Sequence, residues 1–224
     1  MMTTQTITIQ KTTRCDSVPQ QDLVAVEAQY QIEVNGASAF CFTCTPSHLE
    51  EMVTGALYSR GYITNAKQIA FLSIEDSRVC VVLTAAVEEE TPCNYRPTLK
   101  PEAIFEIVNE IFRDPDTLFN QTGCAHSCSL VQNGVICCTF EDIGRHNALD
   151  KVIGYALRNH ISMAECVIFT SGRISGDYMA KIIRAGFPIA VSRAAVTSEA
   201  VRLAQESGTT LYGFVRGNSA NLYT

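Results

Sequence analysis

From Gly134 to its end the sequence alternates between two rhythms, and this alternation constrains the fold more than any other feature. "VICCTF", "CVIFTS", "PIAVS" and "TTLYGFV" are short apolar runs of strand length. Between them lie "HNALDKVIGYALRNH", "GDYMAKIIRAG" and "SEAVRLAQESG", whose apolar residues recur at helical spacing. Gly186 and Gly208 fall where helices should stop. Strand, helix, strand, helix predicts an α/β protein with a mostly parallel sheet flanked by helices, in which ligands gather at the carboxyl ends of the strands.

The first part of the chain reads differently. "TQTITIQ" alternates, Asn35-Gly36 separates two alternating runs, and "IAFLSIEDSRVCVVL" turns at Glu75-Asp76, which predicts a β-rich opening. One helix interrupts it, "SHLEEMVTGALYSRG", with Ser47 and Glu50 as a capping box and Gly61 as its stop. A second helix starts near Pro101 in "PEAIFEIVNEIF". The expected layout is a β-rich part over 1–87, a functional loop over 88–100 and the α/β sheet domain over 101–224. The loop contains "EEETPCNYRP", with acids, prolines and no periodicity.

With 17 basic and 23 acidic residues the formal charge is −6, which argues against a general nucleic-acid or membrane-surface binder. The apolar runs are far shorter than a membrane span, and the first residues carry no basic region followed by an apolar block, so a cytoplasmic protein is expected. Most of the ten cysteines sit inside apolar strands and read as buried thiols.

The strand ends are where chemistry is expected. "EDIGRHN", "TSGRIS" and "SRAAVTSE" place Arg145, Arg173 and Arg193 beside Gly, Ser and Thr at helix starts, and "GFVRGNSAN" adds Arg216 after the last strand. Backbone amides, hydroxyls and guanidinium forks suit an anionic, phosphate-rich ligand; the competing reading pairs each Arg with a nearby acid. "FEDIGRHNALDK" is the densest of these stretches, and it reads as one wall of a pocket, with Glu141 and Asp142 orienting Arg145 and His146. No Gly-rich loop fits a dinucleotide fingerprint or a P-loop. Cys41 and Cys44 form a lone C-x-x-C inside a strand pattern, weak evidence for a metal. Cys124 and Cys128 flank His126, where a neighbouring imidazole could lower a thiol pKa, or the histidine could simply be buried and satisfied. Cys93 stands apart, in a polar loop where a thiolate can reach a partner. A zinc deaminase pattern is not completed: Pro92-Cys93 is followed by Asn94, Tyr95 and Arg96 rather than by x-x-C.

Taken in order, "TPSHLEEMVTGALYSRGYI", "TGCAHSCSL", "FEDIGRHNALDKVIGYAL", "TSGRISGDYMAKI" and "VSRAAVTSEAVRLAQESGTTLYGFVRGNSANLYT" resemble the successive blocks of the formate dehydrogenase accessory sulfurtransferase family, FdhD. The resemblance implies a cytidine deaminase-like three-layer sheet domain and a homodimer. It implies a sulfurtransferase that takes sulfur as a persulfide from a cysteine desulfurase. The sulfur then passes to the molybdenum or tungsten bis-pyranopterin guanine dinucleotide cofactor, bound as substrate, before insertion into formate dehydrogenase; a GDP-like ligand would occupy the same site. On this resemblance Phe214, Val215, Arg216, Gly217, Asn218 and Ser219 match the cofactor-binding segment, and Arg145, His146, Asn147, Ser171, Gly172 and Arg173 match the strand-end blocks. The family's sulfur-carrying loop reads C-G-x-C-G, whereas this chain has "TPCNYRP", so Cys93 stands alone as the catalytic candidate. A second departure is Cys124, where the family pattern has Gly. The alternative is a diverged chaperone that binds the cofactor or a guanine nucleotide and transfers no sulfur.

Overall fold

A computed structural model describes residues 2–85, 97 and 99–224 of the chain. The first two strands, β1 (Thr4–Thr12) and β2 (Ser17–Ala25), pair only with each other, antiparallel, and most of their side chains are exposed. Strands β3 (Ala28–Val34) and β4 (Ala37–Cys44) follow, joined at Asn35-Gly36, both with positive φ (51° and 79°), as an Asn-Gly hairpin requires. Helix α1 (Leu49–Ser59) comes next, then β5 (Ile69–Glu75) and β6 (Arg78–Leu83). These last four strands form one sheet in the order β4-β3-β6-β5, with β3 and β6 parallel and the other pairs antiparallel. Met52, Val53 and Leu57 of α1 close a core with Tyr30, Ile32, Phe42, Val79 and Val81 of the sheet.

The expected capping box does not start α1. The cap position is His48, in the left-handed region at φ 52°, and no side chain caps it. Ser47 Oγ instead accepts from Lys151 Nζ, and Glu50 pairs with Arg158.

The remaining elements are α2 (Pro101–Ile111), α3 (Leu118–Thr122), β7 (His126–Gln132), β8 (Val135–Asp142), α4 (Arg145–Arg158), β9 (Cys166–Thr170), α5 (Gly176–Ala185), β10 (Ile189–Ser192), α6 (Ser198–Ser207), β11 (Thr210–Arg216) and β12 (Ser219–Leu222). Pro101 stands at the start of α2, and Gly186 and Gly208 end α5 and α6 in the left-handed conformation, as expected. The six-stranded sheet runs β12-β11-β10-β9-β7-β8. It is mixed rather than mostly parallel. Only β9–β10 and β10–β11 are parallel pairs, because β7 enters between β8 and β9 antiparallel to both, and β12 folds back on β11. Two successive reversals still leave β8 running the same way as β9, β10 and β11, so their carboxyl ends share one sheet edge.

Helices α4, α5 and α6 cover one face of this sheet through Leu149, Ile153, Met179, Ile182 and Ala200. On the other face, Ile104, Ile107, Val108 and Ile111 of α2 pack on Val131, Val167, Phe169, Val191 and Val215. Helix α1 lies against α4 and so fastens the smaller sheet to the larger. Among the described residues, no helix is long and apolar enough to cross a membrane.

Candidate functional site

The acidic residues of "FEDIGRHNALDK" do not orient Arg145 and His146. Glu141 accepts from the amides of Leu118 (2.6 Å) and Phe119 (3.1 Å), so its carboxylate sits on the first turn of α3. Asp142 is fully buried against Lys151 (2.8 Å), which is equally buried, and also accepts from the amides of Thr45 and Gly144 and from Asn147 Nδ2. Asp150, likewise buried, holds Ser59 Oγ and Lys181 Nζ, each at 2.7 Å. The densest charge cluster of the chain is therefore a clamp between the two sheets.

The sheet edge itself gathers four arginines, with the Asp177 carboxylate held by Ser175 close to Arg145. Among the described residues, Arg145, Arg173, Arg193 and Arg216 form no ion pair with a carboxylate. Arg145 donates from Nη2 to Ser175 Oγ (3.2 Å), while its Nε is buried with no partner. Such an orphaned donor fits an absent acceptor. Arg193 lies over the Phe112 ring, 4.4 Å from its centre, and Arg216 Nε donates to the Arg193 carbonyl (2.9 Å). Arg173 is exposed.

The loops carrying these arginines are tied to one another. The Arg193 amide donates to Thr170 O, the Thr197 amide to Ile174 O and the Phe214 amide to Ala194 O. Ser171 Oγ accepts from the Ser127 amide (2.9 Å), and Ser192 Oγ donates to Gly172 O (2.8 Å). Gly172 leaves room for close approach: a Cβ there would stand 3.1 Å from Arg145 Cβ and 3.4 Å from His126 Nδ1.

The other candidates divide by position. His146 Nε2 lies 3.1 Å from Asp177, with its ring edge-on to Tyr178. Burial, then Lys181, holds the His146 imidazole below the ordinary histidine value, while the Ser175 hydroxyl holds Asp177 below the carboxylate range. Asn147 spends its amide on Thr43 O and Asp142, so its side chain is structural. Val215 is fully buried under α2, leaving only its backbone for a ligand. Phe214 is 41 % exposed and has φ 53°, a conformation that strains a bulky residue. Gly217 and Asn218 form the exposed turn between β11 and β12, and the exposed Ser219 opens β12. Cys93 lies outside the described residues.

Beside the arginine edge, on the α2 face, opens a cleft of about 970 Å³. Its lining includes Ser171, Arg193 and Arg216, the aromatic rings of His48, Phe112, Phe119 and Phe140, and a polar stretch of His126, Ser127, Thr139 and Glu141. Burial, then Arg145 and Arg173, keeps the His126 imidazole below the ordinary histidine value. Sequence reasoning missed most of this lining. The available signal was the small polar residues Ser127, Ser129 and Thr139 in strands whose other residues are largely apolar.

The described cysteines sort by burial. Cys44 and Cys128 are fully buried, and burial pushes both thiols up to about 12. That removes Cys128 as a thiolate near neutral pH and leaves Cys41, exposed on β4, without Cys44 as a reactive partner. Cys124 is exposed between Gln121 and Ala125, both of which line the cleft. Among the described residues, no group of three or more His, Cys, Asp or Glu is placed to hold a metal ion.

Fold and site together define an α/β protein with an arginine-lined sheet edge opening onto a partly aromatic cleft. The chain belongs to the FdhD/NarQ family, whose model matches residues 25–96 and 82–224. It is 34 % identical over 227 residues to the "Sulfur carrier protein FdhD" of Sulfolobus acidocaldarius, covering 91 % of this chain and 90 % of that one. It is 33 % identical over 239 residues to the protein of the same name from Halalkalibacterium halodurans, covering 92 % and 88 %. Its fold matches the crystal structure of a putative formate dehydrogenase accessory protein from Desulfotalea psychrophila with a TM-score of 0.83 and 30 % identity, covering 99 % of this chain and 96 % of that one.

Proposed function

We propose that this chain is a sulfur carrier that sulfurates the molybdenum or tungsten bis-pyranopterin guanine dinucleotide cofactor for formate dehydrogenase, with Cys93 as the carrying thiol. The observation that carries the reading is the match along nearly the whole chain to proteins named as FdhD sulfur carriers. The geometry adds a reason for the cofactor: four guanidiniums without carboxylate partners among the described residues, one with a buried unpartnered Nε, meet at one sheet edge. Arg145, Arg173 and Arg216 would receive phosphate groups, together with Ser171 and the Gly172 backbone; Gly217, Asn218 and Ser219 would close over them. The exposed ring of Phe214 would lie against a flat heterocycle. The order β8-β7-β9-β10-β11, with β7 reversed and helices on both faces, supports a cytidine deaminase-like sheet domain.

Loading is a thiol exchange. The Cys93 thiolate attacks the terminal sulfur of a cysteine desulfurase persulfide; a new S–S bond forms on Cys93, the donor S–S bond breaks and the desulfurase leaves as a thiolate. The partners are thus a cysteine desulfurase and formate dehydrogenase, and the setting is cytoplasmic, with the chain acting as a homodimer. The test is maturation of formate dehydrogenase by the Cys93→Ala chain. Formate dehydrogenase activity should be lost while GDP binding is kept; normal maturation would remove Cys93 from the mechanism.

A second reading, a chaperone for the cofactor or a guanine nucleotide without sulfur transfer, is favoured by "TPCNYRP" standing where C-G-x-C-G is expected. It predicts normal maturation by Cys93→Ala and loss of maturation only when the arginine edge is altered.

A further inference from the structure

We infer that His126 is a further ligand of the arginine edge, one that takes up a proton when a phosphate group binds beside Arg145. This inference rests on the anion-binding part of the reading above and adds to it a pH-dependent contact. His126 opens β7, and because β7 runs antiparallel to β8 and β9, its first residue arrives at the edge where those strands end. It stands opposite Asp142, the last residue of β8, while Cys128, two residues on, stands opposite Thr170, the last of β9. Cys128 belongs to the core under α4, α5 and α6. Side chains alternate along a strand, so His126 faces the same side as Cys128, the side on which α4 begins at Arg145.

Gly172 brings the two side chains together. The point a Cβ would occupy there is 3.3 Å from Arg145 Cδ and 3.4 Å from His126 Nδ1, so the imidazole and the arginine stem converge on one backbone position. The buried Nε of Arg145, which has no partner, is bonded to that same Cδ, and the unpartnered donor therefore stands beside the ring. No side chain caps α4, so its first amides add positive potential at this place. Among the described residues the half-buried His126 ring forms no ion pair with a carboxylate.

The charged groups around the ring decide its protonation. Arg145 faces it from α4 and Arg173 from the loop after β9, and both add to burial in disfavouring the charged imidazole. The nearby carboxylates are committed elsewhere: Asp142, across the ladder, to Lys151, and Asp177 to Ser175 and His146. Free His126 therefore lies below the ordinary 6.5 and is neutral near pH 7. An anion that engages Arg145 and Arg173 offsets their repulsion and adds its own negative charge. The imidazolium then becomes the favoured form and donates to the anion beside Arg145 Nε, its proton coming from solvent. By linkage the gain in affinity is full below the free value and is lost as the pH rises through the higher value of the complex.

Calorimetric titration of the full chain with GDP, in buffers of different ionisation heat, reads the protons taken up on binding. The terminal phosphate of GDP titrates near neutral pH as well, so the readout is the difference between the wild-type chain and His126→Gln. The two should bind within about twofold of each other near pH 8 and differ by about tenfold near pH 6, since one unit of pKa shift corresponds to tenfold in affinity. Proton NMR of the unaltered chain is a second readout: one of its four histidine signals should titrate at higher pH when GDP is present. Parallel pH profiles in the two chains, as a histidine that only shapes the fold would give, overturn the inference and leave the arginine edge standing. Four histidine signals whose titration GDP leaves unmoved do the same. No GDP binding by the wild-type chain at any pH overturns the inference together with the anion-binding reading.

Discussion

Gly55 of α1 and Gly154 of α4 meet backbone to backbone. A Cβ on Gly55 would stand 1.8 Å from Asp150 O and 2.9 Å from Gly154 N, and a Cβ on Gly154 would stand 1.8 Å from Glu51 O and 2.9 Å from Gly55 N. The crossing fastens the smaller sheet to the larger, so the relative position of the two sheets depends on two missing side chains. Neither Cβ can be absorbed by a rotamer change, because the atoms it meets are backbone. Gly55→Ala or Gly154→Ala should each cost more than about 3 kcal/mol and lower the denaturation midpoint accordingly. A midpoint unchanged in either variant would contradict the crossing.

Beside that crossing, Lys151 and Asp142 are fully buried and 2.8 Å apart. Removing one charge leaves the other without compensation in a site closed to water. Lys151→Met should therefore destabilise the chain by about 3–5 kcal/mol, read by urea denaturation. Asp142 also accepts from two backbone amides and Asn147, which an apolar residue cannot do. Converting both residues to apolar ones should therefore not restore stability, and recovery in the double variant would show that those bonds matter little.

Burial, the leading cause for each, holds His48, His126 and His146 below the ordinary histidine value of 6.5. Such groups bind protons more readily in the unfolded chain, so acid favours unfolding. Their contribution to stability is full above about pH 6.5 and declines as the pH falls below it, until the folded pKa is passed. Asp177, held down by Ser175, adds its own loss only below its unfolded value of 3.8. Thermal melts should thus show a falling midpoint from about pH 7.5 to about pH 5.5, with a shallower fall in His126→Gln. A midpoint that is flat or rises on acidification contradicts this picture.

Arg145 offers the sharpest test of the anion edge, since its Nε is buried without a partner. A charge-assisted hydrogen bond contributes about 1.5–3 kcal/mol, so Arg145→Gln should weaken GDP binding by roughly ten- to a hundredfold in calorimetry. Arg202, paired with Glu199 and Glu206 on the surface of α6, is the control and should leave binding unchanged. Equal effects from the two variants would mean general charge attraction rather than a built site.

The sequence made the helices α1, α2, α4, α5 and α6 legible because each carries an apolar face at helical spacing and most end on a glycine. Strand β7 was not legible: Ser127 and Ser129 break its apolar rhythm, and they do so because that face borders the cleft. Missing β7 made the sheet look more parallel than it is. Convergence of the four arginines at one edge was readable, since it depends only on strand direction. The roles of Glu141, Asp142 and Asp150 were not, because their partners Leu118, Thr45 and Ser59 lie 23, 97 and 91 residues away in sequence. Local spacing carries no trace of such distant partners.

The central claim is that this chain carries sulfur on Cys93. It is tested most directly by mass spectrometry of the intact, anaerobically purified protein after incubation with a cysteine desulfurase and cysteine, followed by peptide mapping of any added sulfur. The account predicts added sulfur on Cys93, and none there in Cys93→Ala. A chain that gains no sulfur on any of its ten cysteines would contradict it and leave the arginine edge to a binding role alone.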